Sequence, residues 1–74
     1  GIFDGDIVII HKQDVVENGE TAVAIIDRDM ATLKKIYIER GRIRLQPANP
    51  SLKPIYVKSV TIQGKVTGVL RKYE

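Results

Sequence analysis

Ala31-Thr32-Leu33-Lys34-Lys35-Ile36-Tyr37-Ile38, then Glu39-Arg40-Gly41, then Arg42-Ile43-Arg44-Leu45-Gln46, is the stretch that decides the fold class. In residues 42–46 the period is two: Ile43 and Leu45 face inward, while Arg42, Arg44 and Gln46 face outward, as on a half-buried strand. Residues 31–38 read as the preceding strand and Glu39-Arg40-Gly41 as the turn between them. Upstream, Ile7-Val8-Ile9-Ile10 is a continuous branched run, the pattern of a strand buried on both faces. Asp4-Gly5-Asp6 is a turn signal before it, and Asn18-Gly19 is the strongest hairpin dipeptide in the chain. Thr21-Ala22-Val23-Ala24-Ile25-Ile26 forms a second apolar run, ended by the charged turn Asp27-Arg28-Asp29. Downstream, three prolines among residues 47–54 remove backbone donors and fix φ, so this segment is a loop. Residues 55–62 resume extended structure, and Gly64 and Gly68 bracket a last strand over residues 65–72. Val, Ile and Thr recur in every segment, which disfavours helix. The expectation is an all-β domain of about six or seven short strands in small, strongly bent sheets or a partly open barrel.

Composition narrows the classes. Seventy-four residues make one small domain, 1–74, with no internal linker or repeat. No cysteine is present, which removes disulfides and thiolate metal sites, and the single histidine, His11, cannot build a zinc site alone. Twelve Lys+Arg against nine Asp+Glu give a formal charge of +3, mildly basic with no block of like charge. No apolar run approaches the roughly 20 residues of a membrane span. The opening Gly1-Ile2-Phe3-Asp4 has no basic n-region of a signal peptide and no initiator Met. The expectation is a soluble piece of a longer protein from a reducing compartment.

Four groups could carry chemistry. Arg40, Arg42 and Arg44 could form a stripe that meets phosphate, but only four aromatics are available for stacking and no RNA-binding signature surrounds them. A solvated outer face is the plainer reading. Asp4 and Asp6 lack the further oxygens of a calcium loop and read as a turn entering a strand. His11 ends a strand without a triad pattern and reads as structural. On residues 31–38, Thr32, Lys34, Ile36 and Ile38 share one face, and Leu33, Lys35 and Tyr37 share the other. One of two adjacent lysines therefore points inward, or the strand lies at an edge. Desolvation beside two isoleucines would lower the pKa of Lys34 far enough for a neutral amine to act as general base toward a serine, while snorkelling with a solvated head is the alternative.

Five segments also carry a resemblance, in order and in spacing: GIFDGDIV at residues 1–8, Asn18-Gly19-Glu20 before a Val-Ala-Ile strand, Ala31-Thr32-Leu33-Lys34-Lys35-Ile36, RLQPANP at residues 44–50, and GKVTGVLR at residues 64–71. Together they resemble the C-terminal self-cleaving peptidase domain of the LexA-type repressors, which phage repressors and UmuD-type proteins share. The resemblance implies an incomplete version of that domain's fold, in a bacterial, cytoplasmic repressor of DNA-damage genes. It further implies a Ser–Lys dyad with Lys34 as the base, self-cleavage at an Ala–Gly bond stimulated by RecA filaments, and no cofactor or metal. Operator binding would belong to a winged helix–turn–helix outside these residues. The last strand, at Gly68, Val69, Leu70, Arg71 and Lys72, is implied in a homodimer, which for this chain could be strand-exchanged. The family's nucleophilic serine, followed by Met, would precede Gly1. Neither Ser51, in the proline loop, nor Ser59, in a late strand, fits that role.

Overall fold

The computed structural model describes residues 5–26 and 30–71. Strands β3 (Ala31–Glu39) and β4 (Arg42–Gln46) form the hairpin expected from the alternation, closed at Glu39↔Arg42 with Gly41 at a φ of +76°. Around it β1 (Ile7–Lys12), β2 (Thr21–Ile25), β5 (Ile55–Val57) and β6 (Thr61–Leu70) complete one sheet, wholly antiparallel, in the order β1-β6-β2-β3-β4-β5. The fold is all-β, and among the described residues there are six strands and no helix. The sheet is open rather than closed into a barrel, with β1 and β5 at its edges.

One face of this sheet holds the core. Ala22, Ala24, Ile36 and Leu45 are buried there, joined by Val16 from the segment leading into β2. Ile43, Val57 and Ile62 pack around them from β4, β5 and β6. The opposite face carries Val23, Lys35, Tyr37, Arg44 and Tyr56, as the registers of β2, β3, β4 and β5 require.

The expected bending is concentrated in β6. It pairs with β2 through Thr61, Ile62, Gly64 and Lys65, and the register shift leaves Gln63 as an extra residue. Against β1 a second shift leaves Thr67 extra, and its hydroxyl donates to the Ile9 carbonyl at 3.3 Å. Each extra residue kinks the strand and increases its twist. Gly64 sits where β6 is hydrogen-bonded to both β1 and β2, and a Cβ there would strike the Ile10 side chain and lie 2.8 Å from the His11 carbonyl oxygen. The glycines expected to bracket a strand are thus inside one: Gly64 is needed for close approach, not for a turn.

Three other expectations change. The β1 run is not buried on both faces; it is an edge strand with Ile7 64% and Ile9 45% exposed. Asn18-Gly19 does not close a β1–β2 hairpin, because β6 lies between those strands. It forms instead a turn in which Glu20 N–H donates to the Glu17 carbonyl at 3.1 Å and Gly19 has a φ of +86°, the type II pattern with glycine at the third position. Residues 55–62 are not one extended segment, since β5 stops at Val57 and β6 begins at Thr61. The turn Asp27-Arg28-Asp29 lies outside the described residues.

Gly64→Ala is therefore expected to destabilise by about 1–3 kcal/mol, the usual range for overpacking. Gly68→Ala, whose Cβ would meet Ile9 no closer than 3.4 Å, should cost about 1 kcal/mol or less. Urea unfolding of the two variants checks the ranking.

Candidate functional site

β3 is the element that places a titratable group on the core face. In its register with β2, Lys34 lies opposite Ala22 and Thr32 opposite Ala24. Both alanines are fully buried, and their small side chains leave room on that face for the longer ones across the strand. Ile36, next along the same face, is 2% exposed. Lys34 is half-buried, and its Nζ donates to Thr32 Oγ1 at 2.7 Å and to the Leu33 carbonyl at 3.3 Å. Lys35 points the other way, opposite Thr21 and Gln46, and is exposed. The face shared by Thr32, Lys34, Ile36 and Ile38 is present as expected, although Ile38 near the turn is 59% exposed. The head of Lys34 is part-buried. It is turned back onto its own strand and held there by a hydroxyl.

That hydroxyl has a specific capacity. It accepts a hydrogen bond from an ammonium and can donate one to a neutral amine, so it can hold the lysine head in either protonation state. Spacing alone could have suggested it, because residues two apart on a strand share a face.

The remaining candidates are placed elsewhere. Ser51 donates its hydroxyl to Asn49 Oδ1 at 2.8 Å in the proline loop. Ser59 lies exposed at the Ile25 end of β2, away from Ala22 and Lys34. Asp6 is held by Arg71 through two hydrogen bonds of 3.1 and 2.9 Å, tying the start of β1 to the end of β6; Asp4 lies outside the described residues. His11 is exposed, with Nδ1 2.7 Å from Gln13 Oε1. Among the described residues no group of three or more His, Cys, Asp or Glu could hold a metal ion. An open, mostly apolar groove beside the Gln63 bulge, lined by Ile10, Lys12, Val23 and Ile62, lies away from Lys34.

The arginines do not make a phosphate stripe. Arg40 is in the β3–β4 turn, off the strand face. Arg42 stacks on Tyr56 at 3.9 Å and Arg44 on Tyr37 at 4.2 Å. Both guanidinium groups also bind Glu39, at 3.0 and 3.1 Å, and Arg44 donates to Gln46 at 2.9 Å. Desolvation pushes the Glu39 pKa up, but the hydrogen bonds from Arg44 and Arg42 outweigh it and leave the carboxyl below its ordinary value. These contacts brace the outer face of the β3–β4 hairpin.

Of the residues implied in a dimer, Gly68 and Val69 pair with Ile9 and Val8, and Leu70 is 57% exposed. β2 pairs with β6 only as far as Lys65, so residues 66–70 are paired with β1 alone and their other edge is open among the described residues. Lys72 lies outside the described residues.

The model of the peptidase S24-like family matches residues 1–67. The chain belongs to the peptidase S24-like family. Among its curated S24-type relatives it is 53% identical over 72 residues to a LexA repressor of Desulforamulus reducens, covering 97% of this chain and 33% of that protein. It is likewise 53% identical to a LexA repressor of Caldicellulosiruptor saccharolyticus and 47% identical to one of Staphylococcus aureus, in each case over 97% of this chain and 35% of the relative. The chain thus spans about a third of the length of the curated relatives it matches. Among the described residues no helix is long and apolar enough to cross a membrane.

The segment that crosses the site's neighbourhood has a pH-dependent fastening. The Glu20 carboxylate is bound by the Lys65 ammonium and by the Glu17 backbone N–H at 2.7 Å, which hold its pKa below the ordinary value of 4.5. The same pair raises Lys65 above 10.5. Because Glu20 is lowered on folding, its contribution is complete above about pH 4.5 and is lost as the pH falls through the folded value. The Lys65 contribution is complete below about 10.5 and is lost as the pH rises through its folded value. Glu20→Gln is expected to flatten the acid side of the stability profile, read as the urea midpoint between about pH 6 and pH 3.

Proposed function

We propose that this chain is the general-base portion of a self-cleaving Ser–Lys peptidase domain in a LexA-type repressor of DNA-damage genes. The observation that carries the reading is Lys34: a lysine on the core face of β3, opposite the buried Ala22, with its Nζ on the Thr32 hydroxyl. Membership of the peptidase S24-like family and the LexA repressor names of its relatives support the same assignment.

In this reading Lys34 is the general base and Thr32 a positioning residue. Neutral Lys34 accepts the proton of a serine hydroxyl, and the serine oxygen attacks the carbonyl carbon of an Ala–Gly bond between the two domains. The ammonium then returns the proton to the glycine nitrogen as the C–N bond breaks, and water hydrolyses the resulting seryl ester. In this reading the nucleophile and the scissile bond belong to the part of the protein that precedes residue 1, and residues 1–74 are a portion of its peptidase domain. RecA filaments stimulate the step, operator binding belongs to a winged helix–turn–helix in the remainder of the protein, and the protein works in the bacterial cytoplasm. Dimerisation through the end of β6 fits the open edge of residues 66–70 and the exposed Val69 and Leu70.

The test uses the full-length protein incubated alone at alkaline pH, with cleavage followed by gel and mass analysis. Lys34→Ala should reduce the rate by about 100-fold or more, the scale of a lost general base. Thr32→Val should retain cleavage but slow it, because the amine is no longer held, and Thr32→Ser, which keeps the hydroxyl, should cleave near the parent rate. Cleavage of Lys34→Ala at the parent rate would overturn the assignment. For the dimer, Leu70→Asp is expected to shift sedimentation toward monomer with the sheet intact by circular dichroism, and an unchanged dimer would remove the end of β6 from the interface.

A further inference from the structure

We infer that Asn18-Gly19 is a deamidation site that the folded turn keeps closed. In such a pair the glycine nitrogen attacks the side-chain carbonyl carbon of the asparagine. A C–N bond forms, the side-chain nitrogen leaves as ammonia, and water opens the resulting succinimide to aspartate or isoaspartate. Glycine is the most permissive neighbour for this closure, since no Cβ obstructs the approach. The sequence therefore places a reactive pair in an exposed turn, and nothing in the proposed peptidase chemistry uses it.

The structure occupies both reacting groups. Gly19 N–H donates to the Ile36 carbonyl at 2.8 Å. Asn18 Oδ1 accepts the Ile38 N–H at 2.7 Å. The turn is closed by Glu20 N–H on the Glu17 carbonyl at 3.1 Å and by the Glu20 carboxylate on Glu17 N–H at 2.7 Å. For attack, Gly19 N must leave Ile36 while the Asn18 side chain rotates off Ile38. Both bonds to β3 break before the new one forms, so the reaction waits on local opening of residues 17–20.

The two products differ in consequence. Aspartate keeps an oxygen that can accept from Ile38 N–H. Isoaspartate adds a methylene to the main chain and displaces Gly19 and Glu20, both of which hydrogen-bond the backbone of Ile36. Ile36 is two residues from Lys34 on the same face of β3, so the isoaspartate form loosens the strand that carries the lysine. This inference stands on the turn geometry alone and does not depend on the peptidase reading.

The experiment incubates the full-length protein at mildly alkaline pH, folded and in urea, and follows the peptide containing Asn18 by mass spectrometry. The folded protein is expected to convert at least about tenfold more slowly than the unfolded one, as for a site exposed only by local opening. Glu20→Ala removes the carboxylate fastening of the turn, so it should raise the folded rate and leave the rate in urea unchanged. Equal rates in the folded and unfolded protein would overturn the inference, as would a folded rate insensitive to Glu20→Ala.

Discussion

Ala22 and Ala24, with no exposed surface, lie opposite Lys34 and Thr32, and this register of β2 against β3 is the constraint on which the rest depends. Side chains on a strand alternate with period two, so a slip of one residue would turn Lys34 and Thr32 to the outer face and bring Leu33 and Lys35 into the core. The register is fixed from both ends. At one end the Gly19 and Ile36 N–H groups bond to Ile36 and Glu20 carbonyls; at the other, Ile26 N–H bonds to the Met30 carbonyl at 3.1 Å. Beyond β3, the pairing Ile36↔Leu45 carries the same face into β4, where Leu45 is also fully buried.

Small residues do much of this. An alanine across from a lysine leaves space for the aliphatic stem, and the ammonium turns along the strand to the Thr32 hydroxyl rather than out to solvent. The outer face uses the opposite device: large planar groups, Tyr37 and Tyr56, each covered by an arginine, with Glu39 between the two cations. These contacts stiffen the hairpin from its solvent side and leave the inner face to the lysine.

Much of this was legible in the sequence. Period-two alternation in residues 42–46 located β4 to the residue, and the same argument put Thr32 and Lys34 on one face. What misled was composition read without neighbours. Ile7-Val8-Ile9-Ile10 is apolar enough for a central strand, yet strand order is a long-range property, and β1 lies at an edge. Read locally, Gly64 and Gly68 bracket a strand, because glycine commonly marks turns. In β6, Gly64 is instead required by strands closing on it from both sides, which no local pattern reveals. Asn18-Gly19 is a turn, as the dipeptide signals, but the strands on either side of it do not pair, since β6 lies between β1 and β2 and the turn bonds instead to Ile36 of β3. The hydroxyl partner of Lys34 and the stacking of arginines on tyrosines needed a register before they could be seen. The strand pattern left Lys34 open between a desolvated base and a snorkelling lysine, and its proposed role as a base rests on the resemblance.

The central claim is that Lys34, and not Lys35, occupies the core face. Proton NMR distance contacts from the two lysine side chains test it directly, because the residues are adjacent and differ only in the face they occupy. The account predicts contacts from the Lys34 methylenes to the methyl groups of Ala22 and Thr32, and none from Lys35 to Ala22. Contacts from Lys35 to Ala22, with Lys34 seeing only solvent-side residues, would mean that the strand has slipped by one and would contradict the account.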